Sequence, residues 1–279
     1  MTDTNAIFIP DLKQQAEIKR ILDSSGKCFV AIGVKEDKPV FIKSLLPNAT
    51  EWKEKFSHEI ALYRLFQQTS PSIKLPQLIY AEENDALLIL DYIEGQTLES
   101  ERYLTTALSS NDIHEILQIT KALAAWKPKD ISMFSAWNYH ERLQKYRKRE
   151  LFSDKEARHL SNLIDSYKEP FEIAHGDLLL KNIIRTPKQE YVLIDWEFSG
   201  LFMPGFDLAL LHTIMFRDKD SRKAIENEVS LNRIELPFLI NKAMIIARET
   251  HIHRELPDDM PIKKEILDLL AKEKETLQL

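Results

Sequence analysis

Cysteine is nearly missing from this chain. Cys28 is the one cysteine in 279 residues, which excludes an internal disulfide and any zinc site built from cysteines. Glycine is scarce too. Six glycines are too few for a chain of flexible connections, and no Gly/Ser linker, low-complexity tract or internal repeat is present. No apolar run approaches the length of a membrane span, and residues 1–10 lack the basic start and long apolar stretch of a secretory signal. A cytoplasmic protein without a membrane partner is therefore expected. An excess of basic charge is also absent: 38 Lys and Arg stand against 44 Asp and Glu, for a formal net charge of −6. That balance argues against sequence-independent nucleic-acid binding, yet it permits an anionic nucleotide in a locally positive pocket.

What is present is an ordinary globular composition, 44% hydrophobic and 29% charged, whose texture changes along the chain. Leu12, Ala16, Ile21 and Leu22 predict a first amphipathic helix, closed by Ser24-Ser25-Gly26. Residues 28–34 and 39–43 flank a charged turn and predict an antiparallel hairpin. Over 50–68 the pattern turns helical through Trp52, Phe56, Ile60, Tyr63 and Phe66, and Glu59 shares the packed face with Phe56 and Tyr63. A second hairpin is expected from 75–80 and 86–92 around Glu82-Glu83-Asn84-Asp85. Beyond Glu94-Gly95 helices dominate, two of them opened by the pairs Asp112/Glu115 and Ser153/Glu156. One later hairpin is expected from Ile183-Ile184 and 191–196, and the chain from Asp207 onward reads as helices. The expected fold is α+β and two-lobed. A small lobe with an antiparallel sheet spans 1–93 and binds nucleotide; a larger, mainly helical lobe over 94–279 carries the base and the acceptor.

Three signals carry chemistry. In the first, His175-Gly176-Asp177 is followed by Asn182, five positions after the Asp, on a loop leading into a strand; this is the spacing of a kinase catalytic loop. A hydroxyl about to be phosphorylated must be held and relieved of its proton by a carboxylate, the role assigned to Asp177. An amide oxygen ligates Mg²⁺ without adding negative charge, the role assigned to Asn182. In the second, alternation over 191–195 places Tyr191, Leu193 and Asp195 on one strand face, with Asp195 at its end as a Mg²⁺ ligand. In the third, Lys43 ends a strand where it can reach the inner phosphates of ATP, and Glu59 can hold that ammonium in place.

The stretch 175–182 with Ile194-Asp195-Trp196-Glu197 resembles the aminoglycoside phosphotransferase and choline kinase superfamily, which has a protein-kinase-like fold; the resemblance spans roughly 26–214. It implies Asp177 as catalytic base, Asn182 and Asp195 as Mg²⁺ ligands, and Lys43 with Glu59 at the ATP phosphates. It further implies an adenine site at the hinge 90–95, with backbone hydrogen bonds from Asp91 and Ile93. In the segment 204–209 it gives Asp207 a structural role near the catalytic loop. One departure is the absence of a Gly-rich loop over the phosphates.

The implied activity is ATP- and Mg²⁺-dependent phosphorylation of a hydroxyl on a small molecule: an aminoglycoside, a choline- or thiamine-like alcohol, or a sugar. Trp196-Glu197 leans toward the choline and thiamine kinases. A non-catalytic kinase-like nucleotide-binding protein is the rival from another class. A protein kinase is disfavoured by the missing Gly-rich loop and by the lack of an Ala-Pro-Glu segment after Asp195. Other features read blandly. Residues 145–149 suit a solvated helix face, His175 suits loop packing, and His251 with His253 lacks a third metal ligand. Trp126, Trp137 and Tyr139 suit core or cleft. Asp258-Asp259 suits either attraction of a cationic acceptor or a helix start before Pro261.

Overall fold

The computed structural model describes residues 15–24, 26–84, 86–257, 260–277 and 279. Leu12, Ser25, Asp85 and the Asp258-Asp259 pair lie outside them. Two compact units divide the chain. The first comprises residues up to Leu98 with Trp126–Met133 and Lys181–Phe198; the second comprises Glu99–Ala125, Phe134–Leu180 and Ser199–Leu279.

The first unit is organised by a five-stranded sheet of order β1-β2-β3-β5-β4, with every pairing antiparallel. Its strands are β1 (Glu17–Asp23), β2 (Cys28–Lys35), β3 (Lys38–Leu45), β4 (Leu78–Glu82) and β5 (Leu87–Asp91). The β2–β3 turn is tight because Glu36 and Asp37 both take positive φ, 51° and 61°, the twist that suits a two-residue hairpin. Strand alternation then sorts the side chains. Phe29 and Ala31, Val40 and Ile42, and Leu87 and Ile89 fall on one face and are buried together. Val30, Lys43 and Leu88 form a row on the other face. A 3-10 turn (Thr50–Trp52) leads into helix α1 (Lys53–Phe66), which buries Phe56, Glu59, Ile60 and Tyr63. A small sheet of order β6-β8-β9 completes the unit, built from β6 (Gln96–Thr97), β8 (Ile183–Arg185) and β9 (Tyr191–Leu193). Gly95 enters it where a Cβ would lie 2.5 Å from the Arg185 carbonyl oxygen, so only glycine fits that approach.

Of the helix expected across Leu12 to Leu22, the described part is helical only at Gln15, and residues 17–23 are strand β1. Of the residues behind that expectation, Ile21 and Leu22 lie in this strand, where two register shifts, between Ile18 and Arg20 and between Ile21 and Asp23, break the two-residue period. The strand also sits at the sheet edge with all seven residues exposed, so no buried face imposes alternation on its sequence.

The second unit is helical: α2 (Ser110–Ala125), α3 (Tyr139–Lys148), α4 (Asp154–Ser166), α5 (Phe206–Ile214), α6 (Lys219–Asn232), α7 (Glu235–Arg254) and α8 (Pro261–Thr276). A two-stranded ribbon joins them, β7 (Glu172–Ala174) against β10 (Gly200–Phe202). The sequence reading foresaw neither of these strands, nor β6. Each is two or three residues long and carries no periodic signal. Ser153 and Glu156 form a reciprocal capping box on α4, as expected. The Asp112/Glu115 cap is displaced. α2 begins at Ser110, and Ser109 and Asp112 cap each other: the Asp112 amide donates to Ser109 Oγ (3.1 Å) and the Ser109 amide to Asp112 Oδ2 (3.2 Å). Among the described residues no helix is long and apolar enough to cross a membrane.

Helix α7 is the axis of this unit. Ile240, Ala243, Met244 and Ala247 pack with Leu143 and Tyr146 of α3 and Leu160 and Ile164 of α4. Its buried Glu249 is 0% exposed and receives a two-pronged hydrogen bond from Arg102, Nε and Nη2 each at 2.7 Å, and a third from the Tyr103 hydroxyl at 3.0 Å. Burial alone would raise the Glu249 pKa. The bonds and charge of Arg102, the charge of Arg248 and the Tyr103 hydroxyl outweigh it and hold the carboxyl at about 2, below its ordinary 4.5. A depressed acid pKa contributes stability that is full above the ordinary value and is lost as pH falls toward the folded one. Glu249 should therefore supply about 3 kcal/mol that disappears between roughly pH 4.5 and pH 2. Urea titrations at stepped pH should show a flatter acid limb for Glu249→Gln than for the parent. Parallel limbs would refute this source of acid sensitivity.

Candidate active site

In the first unit the sheet face that carries Val30 and Lys43, together with the β6-β8-β9 sheet, lines a cavity of about 520 Å³. Its apolar members include Val30, Phe41, Leu90, Ile184 and Ile194; its polar members include Lys27, Lys43, Glu59, Asn182 and Asp195. Asp91, Tyr92 and Ile93, the segment following β5, also line it. Six of the seven residues singled out from the sequence thus meet in one cavity. The seventh, Asp177, belongs to the second unit.

Lys43 is the centre of this polar group. Its Nζ donates to Glu59 Oε2 and to Asp195 Oδ1, each at 2.7 Å, and lies 3.9 Å from Glu197 Oε2. Burial works to lower the Lys43 pKa, but the charges of Glu59, Asp195 and Glu197 prevail and hold it well above its usual value. The ammonium is therefore a permanent cation. Glu59, raised by burial and partly restored by Lys43, also accepts the Trp196 amide through Oε1 at 3.3 Å. One carboxylate thereby ties β3, α1 and the segment after β9 together.

Asp195 departs from the strand geometry expected of it. β9 ends at Leu193, and Asp195 adopts φ +66° two residues later. Its carboxylate is aimed by a left-handed corner rather than by strand alternation, a conformation that Asp tolerates better than most residues. The corner is pinned because the Ile194 amide donates to the Asn182 carbonyl at 3.0 Å. The amide of Asp91 donates to the Gln77 carbonyl (3.0 Å), and its carboxylate Oδ1 accepts the Gln77 amide (2.5 Å), which clasps the chain before β4 to the end of β5.

Two residues join the site without having been assigned to it from the sequence. Lys27 lies between β1 and β2, pairs with Glu197, and stands 4.0 Å above the Trp52 ring centre. Glu59, Asp195 and Glu197 have carboxylate oxygens within 4.8 Å of one another. The pattern Asp195-Trp196-Glu197 was the available signal for Glu197. Lys27 has none, because its place is set by tertiary packing.

In the second unit, Asp177 follows a turn held by Asp207. The Asp207 carboxylate accepts the amides of His175 (2.7 Å) and Gly176 (3.0 Å), at the first turn of α5. Gly176 takes φ +79°, which glycine adopts without a Cβ clash. Asp207 is itself positioned from behind. Asn241 of α7 donates to the carbonyls of Met203 and Pro204, both at 3.0 Å, and accepts the Tyr139 hydroxyl, while Glu172 Oε1 accepts the Gly205 amide at 2.9 Å. Tyr139 is accordingly buried, Trp126 of the first unit is buried as well, and Lys145 and Arg147 pair with exposed Glu141 and Asp154. Arg248 of α7 faces the same turn: Nη1 donates to the Gly176 carbonyl at 3.3 Å and Nη2 lies 3.5 Å from Asp177 Oδ1. It too was missed from the sequence, where one Arg in a long helix looks like a surface residue.

Solved structures of the same fold include the ADP-bound aminoglycoside phosphotransferase APH(2″)-Ib, 17% identical, with a TM-score of 0.61 and coverage of 93% of this chain and 95% of that one. Choline kinase LicA from Streptococcus pneumoniae is 16% identical, with a TM-score of 0.59, covering 93% and 94%. A GDP and kanamycin complex of another APH(2″) protein is 14% identical, with a TM-score of 0.65, covering 93% and 94%. No match was found among curated protein sequences. The likeness establishes the protein-kinase-like α+β fold expected from the sequence. The model of the phosphotransferase enzyme family matches residues 30–232, well over half of the chain, and the chain belongs to that family.

Proposed function

We propose that the protein transfers the terminal phosphoryl group of ATP to a hydroxyl of a small molecule, with Mg²⁺ as the metal. The first unit serves as the nucleotide-binding part, and the second supplies the base and the acceptor site. The observation that carries this reading is the Lys43 ammonium held between Glu59 and Asp195 in a cavity with apolar walls. Such a cavity suits a base on its apolar side and phosphates beside the fixed cation. The Ile93 amide and the Asp91 carbonyl are the backbone groups assigned to the base, since the Asp91 amide already serves Gln77. Lys27 adds a second cation where a Gly-rich loop would otherwise cover the phosphates. The ADP, GDP, kanamycin and choline kinase in the names of the similar structures support the same class of reaction.

The donor set also suits the metal. Asn182 and Asp195 can each offer an oxygen, the ligand chemistry Mg²⁺ prefers; Lys43 engages Asp195 as well as Glu59, and Lys27 engages Glu197. When bound, the ion would neutralise charge on the phosphate oxygens. Asp177 then orients the acceptor hydroxyl and takes its proton. The acceptor oxygen forms its bond to the terminal phosphorus as the bond to the bridging oxygen of ADP breaks. Asp207 contributes by fixing the turn that aims Asp177. Lys43 holds the inner phosphates still, so most of the rate comes from positioning and charge stabilisation.

Asp177→Asn should lower turnover by about 10²–10⁴-fold while leaving Mg-nucleotide binding intact. Mg²⁺-dependent ADP release across amino sugars, choline, thiamine, sugars and amino alcohols measures this, with the variant as blank. Near-normal turnover in the variant would remove Asp177 from its role. Lys43→Met should abolish nucleotide binding and also destabilise the fold by about 3–5 kcal/mol, because Glu59 is left buried and unpaired. The double variant Lys43→Met/Glu59→Leu should recover much of that stability and none of the binding. A double variant no more stable than the single one, in urea titration, would contradict the ion-pair account.

A further inference from the structure

A second cavity lies wholly within the second unit and shares no residue with the cavity of the first. Its volume is about 430 Å³, a size that holds a small molecule. Four parts of the chain wall it: the last turns of α2, strand β7, the segment leading into α5, and the end of α6 with Ile234 beyond it. Aliphatic side chains dominate, Leu123, Ile173, Leu208 and Ile234 among them. Lys121, Ala125 and Asn232 are exposed members of the lining, so solvent reaches the cavity between α2 and α6.

The charge of this lining is unbalanced. Glu172, Asp207 and Glu228 supply three carboxylates and Lys121 supplies one ammonium, which leaves two negative charges over. That ammonium is spent on Glu228, with Nζ 2.9 Å from Oε2. Glu172 and Asp207 accept backbone amides instead, from Gly205 for the first and from His175 and Gly176 for the second. An amide satisfies a carboxylate lone pair without cancelling its charge. Burial raises the Asp207 pKa, yet Glu172 by itself keeps the lining negative. The same two acids hold the turn before Asp177, so a molecule in this cavity touches the supports of that turn and not Asp177 itself.

We propose that this cavity is a binding site for a small organic amine, and that its occupation stiffens the turn that carries Asp177. The apolar body of the ligand lies on the aliphatic walls, and its ammonium group offsets the surplus charge at Glu172. A neutral analogue gains the first contact alone, and an anionic one meets repulsion. Filling the space beside Gly205 and Asp207 removes room for the clamp to open, which couples the site to the catalytic turn through packing. The site is separate from nucleotide and acceptor, and the proposal stands without the phosphotransfer reading.

The test is calorimetric titration of the full chain with three probes that share one ring system: tryptamine, tryptophol and indole-3-acetate. Tryptamine should bind about tenfold tighter than tryptophol, and indole-3-acetate should not bind. Ala124→Phe, which fills the cavity from α2, should abolish tryptamine binding, with urea titration to establish that the variant is folded. Two further variants should move affinity in opposite directions, which a general loss of structure cannot do. Lys121→Met removes the competing ammonium and should tighten tryptamine about threefold. Glu172→Gln keeps an acceptor for the Gly205 amide, loses the charge, and should weaken it about threefold. Amide hydrogen exchange over 173–178 should slow when tryptamine is bound. Equal affinity for the three probes, or undiminished binding in folded Ala124→Phe, would refute the site. Competitive displacement of tryptamine by Mg-ADP would refute it too, since that places the amine in the first-unit cavity. Binding that leaves exchange over 173–178 unchanged would sink the link to the turn. None of these readouts needs turnover, so an inactive protein that binds tryptamine as described would overturn the phosphotransfer reading and support this site.

Discussion

A buried ammonium group organises the first unit. Lys43 leaves water for the interior, a transfer that is unfavourable by several kcal/mol unless the charge is met by partners. The three partners come from two places in the chain: Glu59 on α1, and Asp195 and Glu197 beyond β9. The sheet, the helix and the corner at Asp195 therefore cannot shift separately without stranding a charge. Three carboxylates surround two ammonium groups, those of Lys43 and Lys27, so one negative charge is left over. Asp195, at 35% side-chain exposure the most open of the three, is the natural holder of that surplus. A surplus of this sign beside two cations suits a ligand that brings both phosphates and a metal.

The second unit solves a related problem with backbone amides. Asp207 is buried, and burial raises its pKa, yet the amides of His175 and Gly176 give its oxygens two donors. The arrangement converts a helix start into a clamp on the turn before Asp177. Support for that clamp runs back through Gly205 to Glu172, and through Met203 and Pro204 to Asn241. Precision at one loop is thus underwritten by the centre of the helical core, where a side chain has the least freedom to move.

Much of this was legible in the sequence because the informative residues combine type with spacing. Asp177 with Asn182, and Asp195 in a short apolar run, pointed to the family, and the inward face of α1 was readable from Phe56, Glu59 and Tyr63. The failures share one cause. β1 was read as a helix because two bulges replaced the strand period, and the α2 cap was placed three residues late because Ser109, Asp112 and Glu115 repeat at equal spacing. Local pattern cannot distinguish such alternatives when tertiary pairing decides between them. Lys27 and Arg248 were invisible for the same reason: each matters through a neighbour more than seventy positions away, Glu197 for the first and Gly176-Asp177 for the second. The left-handed corner at Asp195 had only a slight local cue, since Asp tolerates that conformation but neither glycine nor asparagine marks it.

The first unit is stitched from three stretches of chain, the last running from Lys181 to Phe198. During synthesis the five-stranded sheet can be complete once residue 91 has emerged, but the floor of its cavity, Ile184 and Ile194, and the partners of Lys43 arrive a hundred residues later. Lys43 must wait through that interval with Glu59 as its one early partner. The nascent sheet is thus a vessel without a floor until α2, α3 and α4 of the second unit have also been made, and the order of translation delays closure of the cavity until the chain has passed Asp195.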